Sequence, residues 1–121
     1  SIKRSMPELS AVDLGKPTFV RRRTKTLDEL FASSLLSEVD LLKIDVQGAE
    51  HLVIEGGKET LKHTKMVWIE VSFRPLYEGS SVFFDIYSML SELNFRLAEL
   101  ESGFRSPSGE LLQSDALFVK S

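Results

Sequence analysis

Helix-type and strand-type segments that alternate and then give way to two consecutive strands predict an α/β domain. Its sheet is expected to be doubly wound and mostly parallel, ending in an antiparallel hairpin. Three observations carry this. Strand-like stretches at 39–45 and 66–72 alternate with helix-like stretches at 26–31, 49–63 and 83–94. Met66 to Ser72 is nearly continuous in hydrophobicity, as strands buried on both faces are. Arg96 to Glu101 and Leu111 to Lys120 are joined through Gly103, Pro107 and Gly109, the pattern of a hairpin with a longer loop.

Each element has a local reason. Residues 1–17 hold Pro7, Gly15 and Pro17 without periodicity and read as linker or loop, leaving 18–121 as the domain body. Thr18 to Arg23 has the composition of a short strand. Thr26-Leu27-Asp28-Glu29 fits a capping box, and Leu27, Leu30 and Phe31 give the helix it opens one apolar face. Val39 to Asp45 is a strand that runs out towards Gly48. Ala49, Leu52 and Val53 continue at helical spacing until Gly56-Gly57 interrupts, and Leu61 belongs to a further turn ending near His63. Phe73 to Ser80, with Pro75 and Gly79, is a loop. Phe83, Ile86, Tyr87, Leu90 and Leu93 mark a helix with one apolar stripe, closed near Asn94.

Composition narrows the function. The 121 residues are 42% hydrophobic, 27% charged and free of cysteine, which excludes a disulfide scaffold, a thiolate metal site and a cysteine nucleophile. Fifteen basic against eighteen acidic groups leave no basic footprint for nucleic acid. The longest apolar runs are strand-sized, so no membrane span is expected. With no secretory pattern, a cytoplasmic location is expected. The seven glycines form neither a GxGxG turn nor a GxxxxGK loop, so this chain alone lacks the usual grip on a nucleotide.

Two carboxylates stand out. Asp45 falls where the first strand meets its loop, and sheets of this class bind ligands beyond the carboxyl ends of their strands. Lys43, two residues earlier, shares its face. The bland reading makes Asp45 a cap for the next helix with Lys43 as its ion-pair partner. Glu70 interrupts an otherwise apolar strand, where a carboxylate needs a partner or a function. In a parallel sheet Asp45 and Glu70 end neighbouring strands and face one cleft, where they suit deprotonation of an alcohol or binding of a hard divalent cation. Glu50 and His51 follow at a helix start beside that cleft, where His51 either faces the substrate or, as the bland reading has it, is a surface residue like His63. The run Arg21, Arg22, Arg23 and Lys25 is read as a solvated edge.

These pieces resemble one family. Thr26 to Leu30 resembles the T-L-D-D-L of FkbM-type methyltransferases. Leu42-Lys43-Ile44-Asp45-Val46-Gln47-Gly48-Ala49-Glu50 resembles their L-K-I-D-V-E-G-A-E, with Gln47 where the family often has Glu. Similarity continues through Val67 to Val71 and Phe73 to Gly79, and closes with Gln113 to Val119. The resemblance implies the C-terminal part of a Rossmann-like methyltransferase sheet whose last strand is antiparallel. It implies S-adenosylmethionine as cofactor and a small-molecule hydroxyl acceptor on a sugar or secondary metabolite; no residue is assigned to a metal. By position, Asp45, Val46 and Gln47 would lie beside the methionine end of the cofactor. Asp45 or Glu70 would take the hydroxyl proton, Glu50 would help position the acceptor, and Glu50 and Glu70 would line the acceptor side. The family's glycine-rich cofactor loop lies upstream of anything present, so the chain is expected to be part of a longer enzyme and inactive alone. The alternative is a non-catalytic half-domain that docks or self-associates through the open edge of the strand at 39–45.

Overall fold

The computed structural model describes residues 25–101 and 103–121. The expected linker at 1–17, the strand at 18–23 and Arg21 to Arg23 of the basic run lie outside them. The first helix, α1 (Leu27–Ser33), starts as its sequence dictates. Thr26 Oγ1 accepts from the Glu29 amide at 3.1 Å, and the Glu29 carboxylate accepts from the Thr26 amide at 3.0 Å. Strand β1 (Val39–Ile44) follows, then α2 (Glu50–Glu55) and α3 (Lys58–Lys62), which Gly56 and Gly57 separate. Gly57 is required by space: a Cβ there would stand 2.7 Å from Leu27 Cδ2 and 2.9 Å from the Val53 carbonyl oxygen. Asp28 joins α1 to α3 at this corner. Its carboxylate accepts from the Thr60 amide (2.7 Å), the Thr60 hydroxyl (2.6 Å) and the Glu59 amide (3.1 Å), and so satisfies the free amides at the start of α3.

Strand β2 (Thr64–Ser72) leads through a loop into α4 (Phe83–Glu92). That helix ends at Asn94, whose φ of 69° turns the chain into β3 (Phe95–Leu100). A two-residue strand, β4 (Phe104–Arg105), precedes the long β5 (Leu111–Lys120). The order across the sheet is β1-β2-β5-β3, with β4 also on β5. β1 and β2 are parallel, with Ile44 beside Ile69. β5 is antiparallel to β2, β3 and β4.

One expectation about strand direction needs correction. The sheet is mixed rather than mostly parallel, since β1–β2 is its one parallel pairing among the described residues. The antiparallel hairpin does close one end of the sheet, with β5 lying between β2 and β3 and β3 outermost. Burial explains the choice. Ser114, Ala116 and Phe118 are buried on one face of β5 and its other face is half-buried, which suits an interior position. β3 is buried only at Phe95.

One side of the sheet holds the core. Leu42, Ile44, Val67, Ile69, Val71, Ala116 and Phe118 pack there against Leu27 and Leu30 of α1, Ile54 of α2, Leu61 of α3 and Ile86 and Leu90 of α4. All four described helices therefore form a single layer, where a doubly wound sheet has two. The helix phase at α2 also differs from expectation. Ile54 points inward while Leu52 is exposed. The opposite side of the sheet carries Lys43, Trp68, Glu70 and Asp115 and is not closed by any described helix.

Candidate functional site

The site is built where β1 ends. Gln47 (φ 51°) and Gly48 (φ 91°) are consecutive left-handed residues, so the chain reverses sharply between Asp45 and the start of α2. Gly48 has no alternative. Beyond its backbone angle, a Cβ would lie 3.0 Å from both Tyr77 Cε1 and Ser80 Cβ, because the β2–α4 loop packs directly on the turn. From inside, the Glu50 carboxylate accepts from the Gly48 amide with both oxygens at 3.1 Å. Ser81 donates its hydroxyl to Glu50 (3.2 Å) and its amide to the Gly48 carbonyl (2.9 Å).

The turn presents its carboxylates to a cleft of about 190 Å³ on the open side of the sheet. Lys43, Ile44 and Asp45 line it from β1, Trp68 and Glu70 from β2, and Asp115 from β5. Register accounts for the convergence: Lys43 lies beside Trp68, and Glu70 lies directly opposite Asp115. The Gln47 amide nitrogen reaches Asp45 Oδ1 at 3.3 Å and Glu70 Oε1 at 3.4 Å. The Glu70 carboxyl is held above the usual glutamate range, first by burial and then by the negative charges of Asp45, Asp115 and Glu50. The hydrogen bond from Gln47 works in the other direction.

The sequence-based candidates separate on this geometry. Asp45 and Glu70 do meet in one cleft. Asp45 does not cap α2, which begins at Glu50 after Ala49 with no side-chain cap, and no ion pair joins Asp45 to Lys43 among the described residues. Glu50 is 4% exposed and turned into the loop it holds. Val46 packs against the core, and Gln47 faces the cleft carboxylates. His51 is half-buried on α2, outside the cleft lining, and its Nδ1 has no hydrogen-bond partner among the described residues. Sequence reasoning missed Asp115. Its signal was present: a carboxylate midway along a strand, in phase with Gln113 and Leu117 and out of phase with the apolar core positions. Ser81 left no such signal, because its importance comes only from Glu50.

The cleft can polarise or deprotonate a hydroxyl and attract a cation. Among the described residues no group of His, Asp or Glu is arranged to hold a metal ion. None of the described helices is long and apolar enough to cross a membrane.

Comparison with known proteins agrees with the motifs. The methyltransferase FkbM domain matches residues 14–97. A 56-residue stretch is 48% identical to the 2-O-methyltransferase NoeI of Sinorhizobium fredii (strain NBRC 101917 / NGR234). That stretch is 46% of this chain and 23% of the relative, so the chain matches less than a quarter of that protein's length. No solved structure matches the chain.

Proposed function

The chain belongs to the FkbM methyltransferase family, and from that premise we propose that it forms the acceptor side of an S-adenosylmethionine-dependent O-methyltransferase. The observation that carries the reading is the cleft where Asp45, Glu70 and Asp115 converge at the end of the parallel strand pair. Support for the hydroxyl acceptor comes from the relative's name, a 2-O-methyltransferase. A sugar or similarly polyhydroxylated metabolite is the acceptor class proposed, and the cytoplasm the proposed location.

The residues present fit the cofactor electrostatically. Three carboxylates, Asp45, Glu70 and Asp115, line the cleft against the one cation Lys43 among the described residues, and a sulfonium is cationic. Asp45 and the turn at Gln47 would face its methionine end, with the Trp68 ring available to a positive charge. When bound, S-adenosylmethionine supplies an electrophilic methyl carbon. The chain's own groups do the rest. Glu70 would take the hydroxyl proton at its carboxylate oxygen. Its raised proton affinity suits a general base working nearer neutrality than an ordinary glutamate. Asp45 remains a hydrogen-bond acceptor that orients the hydroxyl. Glu50 acts at one remove, holding the Gln47–Gly48 turn from below.

With no GxGxG turn in its sequence, the chain is proposed to need further sequence for the adenosine half of the cofactor and to be inactive alone. The test is a methyl-transfer assay on the chain and on a form extended upstream in its gene, with a panel of hydroxylated acceptors read by mass spectrometry. The extended form should add one methyl group to a hydroxyl and the isolated chain none. Transfer to nitrogen or carbon instead, or none by either form, would defeat the proposal.

A second reading has its own observation. β1 has no partner on its outer side among the described residues, and Leu36 and Leu41 stand exposed on and beside it. Unpaired strand edges recruit other chains. On this reading the isolated chain docks or self-associates through β1.

A further inference from the structure

We infer that Gln47 is a positioning residue whose single side-chain nitrogen donates to Asp45 and Glu70 together, fixing the two carboxylates at one spacing while placing no charge between them. The inference rests on the reading of this cleft as the acceptor side of a methyltransferase, and it goes further by saying how the proton acceptor is kept ready.

Three features point to it. Ionised carboxylates can only accept, so the amide must turn its nitrogen towards them, and that nitrogen has two hydrogens for two acceptors. The distances, 3.3 Å to Asp45 and 3.4 Å to Glu70, place it between the strands rather than on one of them. The backbone is committed to this arrangement: a non-glycine residue at φ 51° is uncommon, and here it brings the side chain back over the end of β1.

The surroundings show what the bridge achieves. Glu70 is faced by Asp45 from the end of β1, by Asp115 from β5 and by Glu50 from the start of α2, with Lys43 of β1 the one cation lining the same cleft among the described residues. Each neighbouring carboxylate makes Glu70 hold its proton more tightly. A donor between Asp45 and Glu70 opposes that, and a neutral donor does so without filling the space with another charge. A carboxylate at position 47 would reverse the effect: the donor would be lost and a fourth negative group gained. Glu70 would then stay protonated to higher pH and fail as a base sooner as the pH falls.

The measurement is the carboxyl carbon-13 shift of Glu70 against pH in the chain as it stands, assigned by its disappearance in Glu70→Gln. Gln47→Glu should raise the Glu70 midpoint by about one pH unit or more, a tenfold gain in proton affinity. Gln47→Asn keeps a residue that tolerates left-handed backbone but shortens the reach, and should raise the midpoint by roughly half a unit. Upward shifts in both variants support the tie. Midpoints equal to wild type in both, or a fall in Gln47→Glu, overturn it. This readout needs no turnover. Shifted midpoints alongside an upstream-extended form that transfers no methyl group would keep the tie and remove the enzyme reading, whereas unshifted midpoints alongside an active extended form would do the opposite.

Discussion

Replacing Gly48 by alanine separates the two constraints on the turn that carries the site. Its φ of +91° imposes one cost, about 1–2 kcal/mol for an L-residue in left-handed backbone. The second is steric, since the new Cβ would sit 3.0 Å from Tyr77 Cε1 and Ser80 Cβ. Pushing the β2–α4 loop aside should cost about 1–3 kcal/mol more, as overpacking generally does. Two other glycines serve as controls. Gly79 has φ +85° with nothing within 4 Å of a Cβ, so Gly79→Ala should show the backbone cost alone. Gly57 lacks positive φ but is crowded by Leu27 and the Val53 carbonyl, so Gly57→Ala should show crowding alone. Urea unfolding and thermal melts of the three variants provide the comparison. Gly48→Ala should lose roughly 2–5 kcal/mol, or about 10–25 °C in Tm for a domain of this size, and Gly79→Ala only the backbone part of about 1–2 kcal/mol. Equal losses in Gly48→Ala and Gly79→Ala would refute the claim that Tyr77 and Ser80 hold the turn.

Other outcomes follow from single contacts. Asp28→Ala removes three acceptor bonds at the start of α3 and should cost about 1–3 kcal/mol in urea unfolding, because it leaves part-buried donors of Thr60 unpaired. Glu70 titrates higher in the folded chain than in the unfolded one, so its contribution to stability is full below the unfolded value of about 4.3 and is lost as pH rises through the folded value. Glu70→Gln should therefore melt higher than wild type at pH 7 and lose that advantage near pH 4. If self-association runs through β1, Leu41→Lys should shift the concentration dependence seen by light scattering towards monomer. A wild-type chain that stays monomeric at high concentration would remove that idea.

How much of this was legible in the sequence depended on the distance over which each feature is decided. Local chemistry read correctly: the Thr26–Glu29 capping box, the break at Gly56-Gly57 and the closure of α4 at Asn94 are written in neighbouring residues. Which strand lies beside which is not local. β5 has the same alternation whether it forms an edge or an interior strand, and only its half-buried second face, supplied by β2 and β3, decides the matter. At the site, pairing Asp45 with Glu70 followed from strand ends in a parallel pair and needed just β1 and β2 as neighbours. Asp115 required knowing that β5 lies next to β2. Glu50 looked as accessible as Asp45 in sequence. The left-handed step at Gln47 and Gly48 turns it inward, and nothing in the residue type of Gln47 announces that conformation.

The central claim is that the cleft carboxylates act on the acceptor hydroxyl. Its most direct measurement is kcat for methyl transfer in the upstream-extended enzyme and in its Asp45→Asn and Glu70→Gln forms. The claim predicts that Glu70→Gln lowers kcat by about 10²-fold or more, the usual contribution of a general base, with KM for S-adenosylmethionine little changed. Asp45→Asn should lower it less. Turnover that survives Glu70→Gln unchanged would contradict the account.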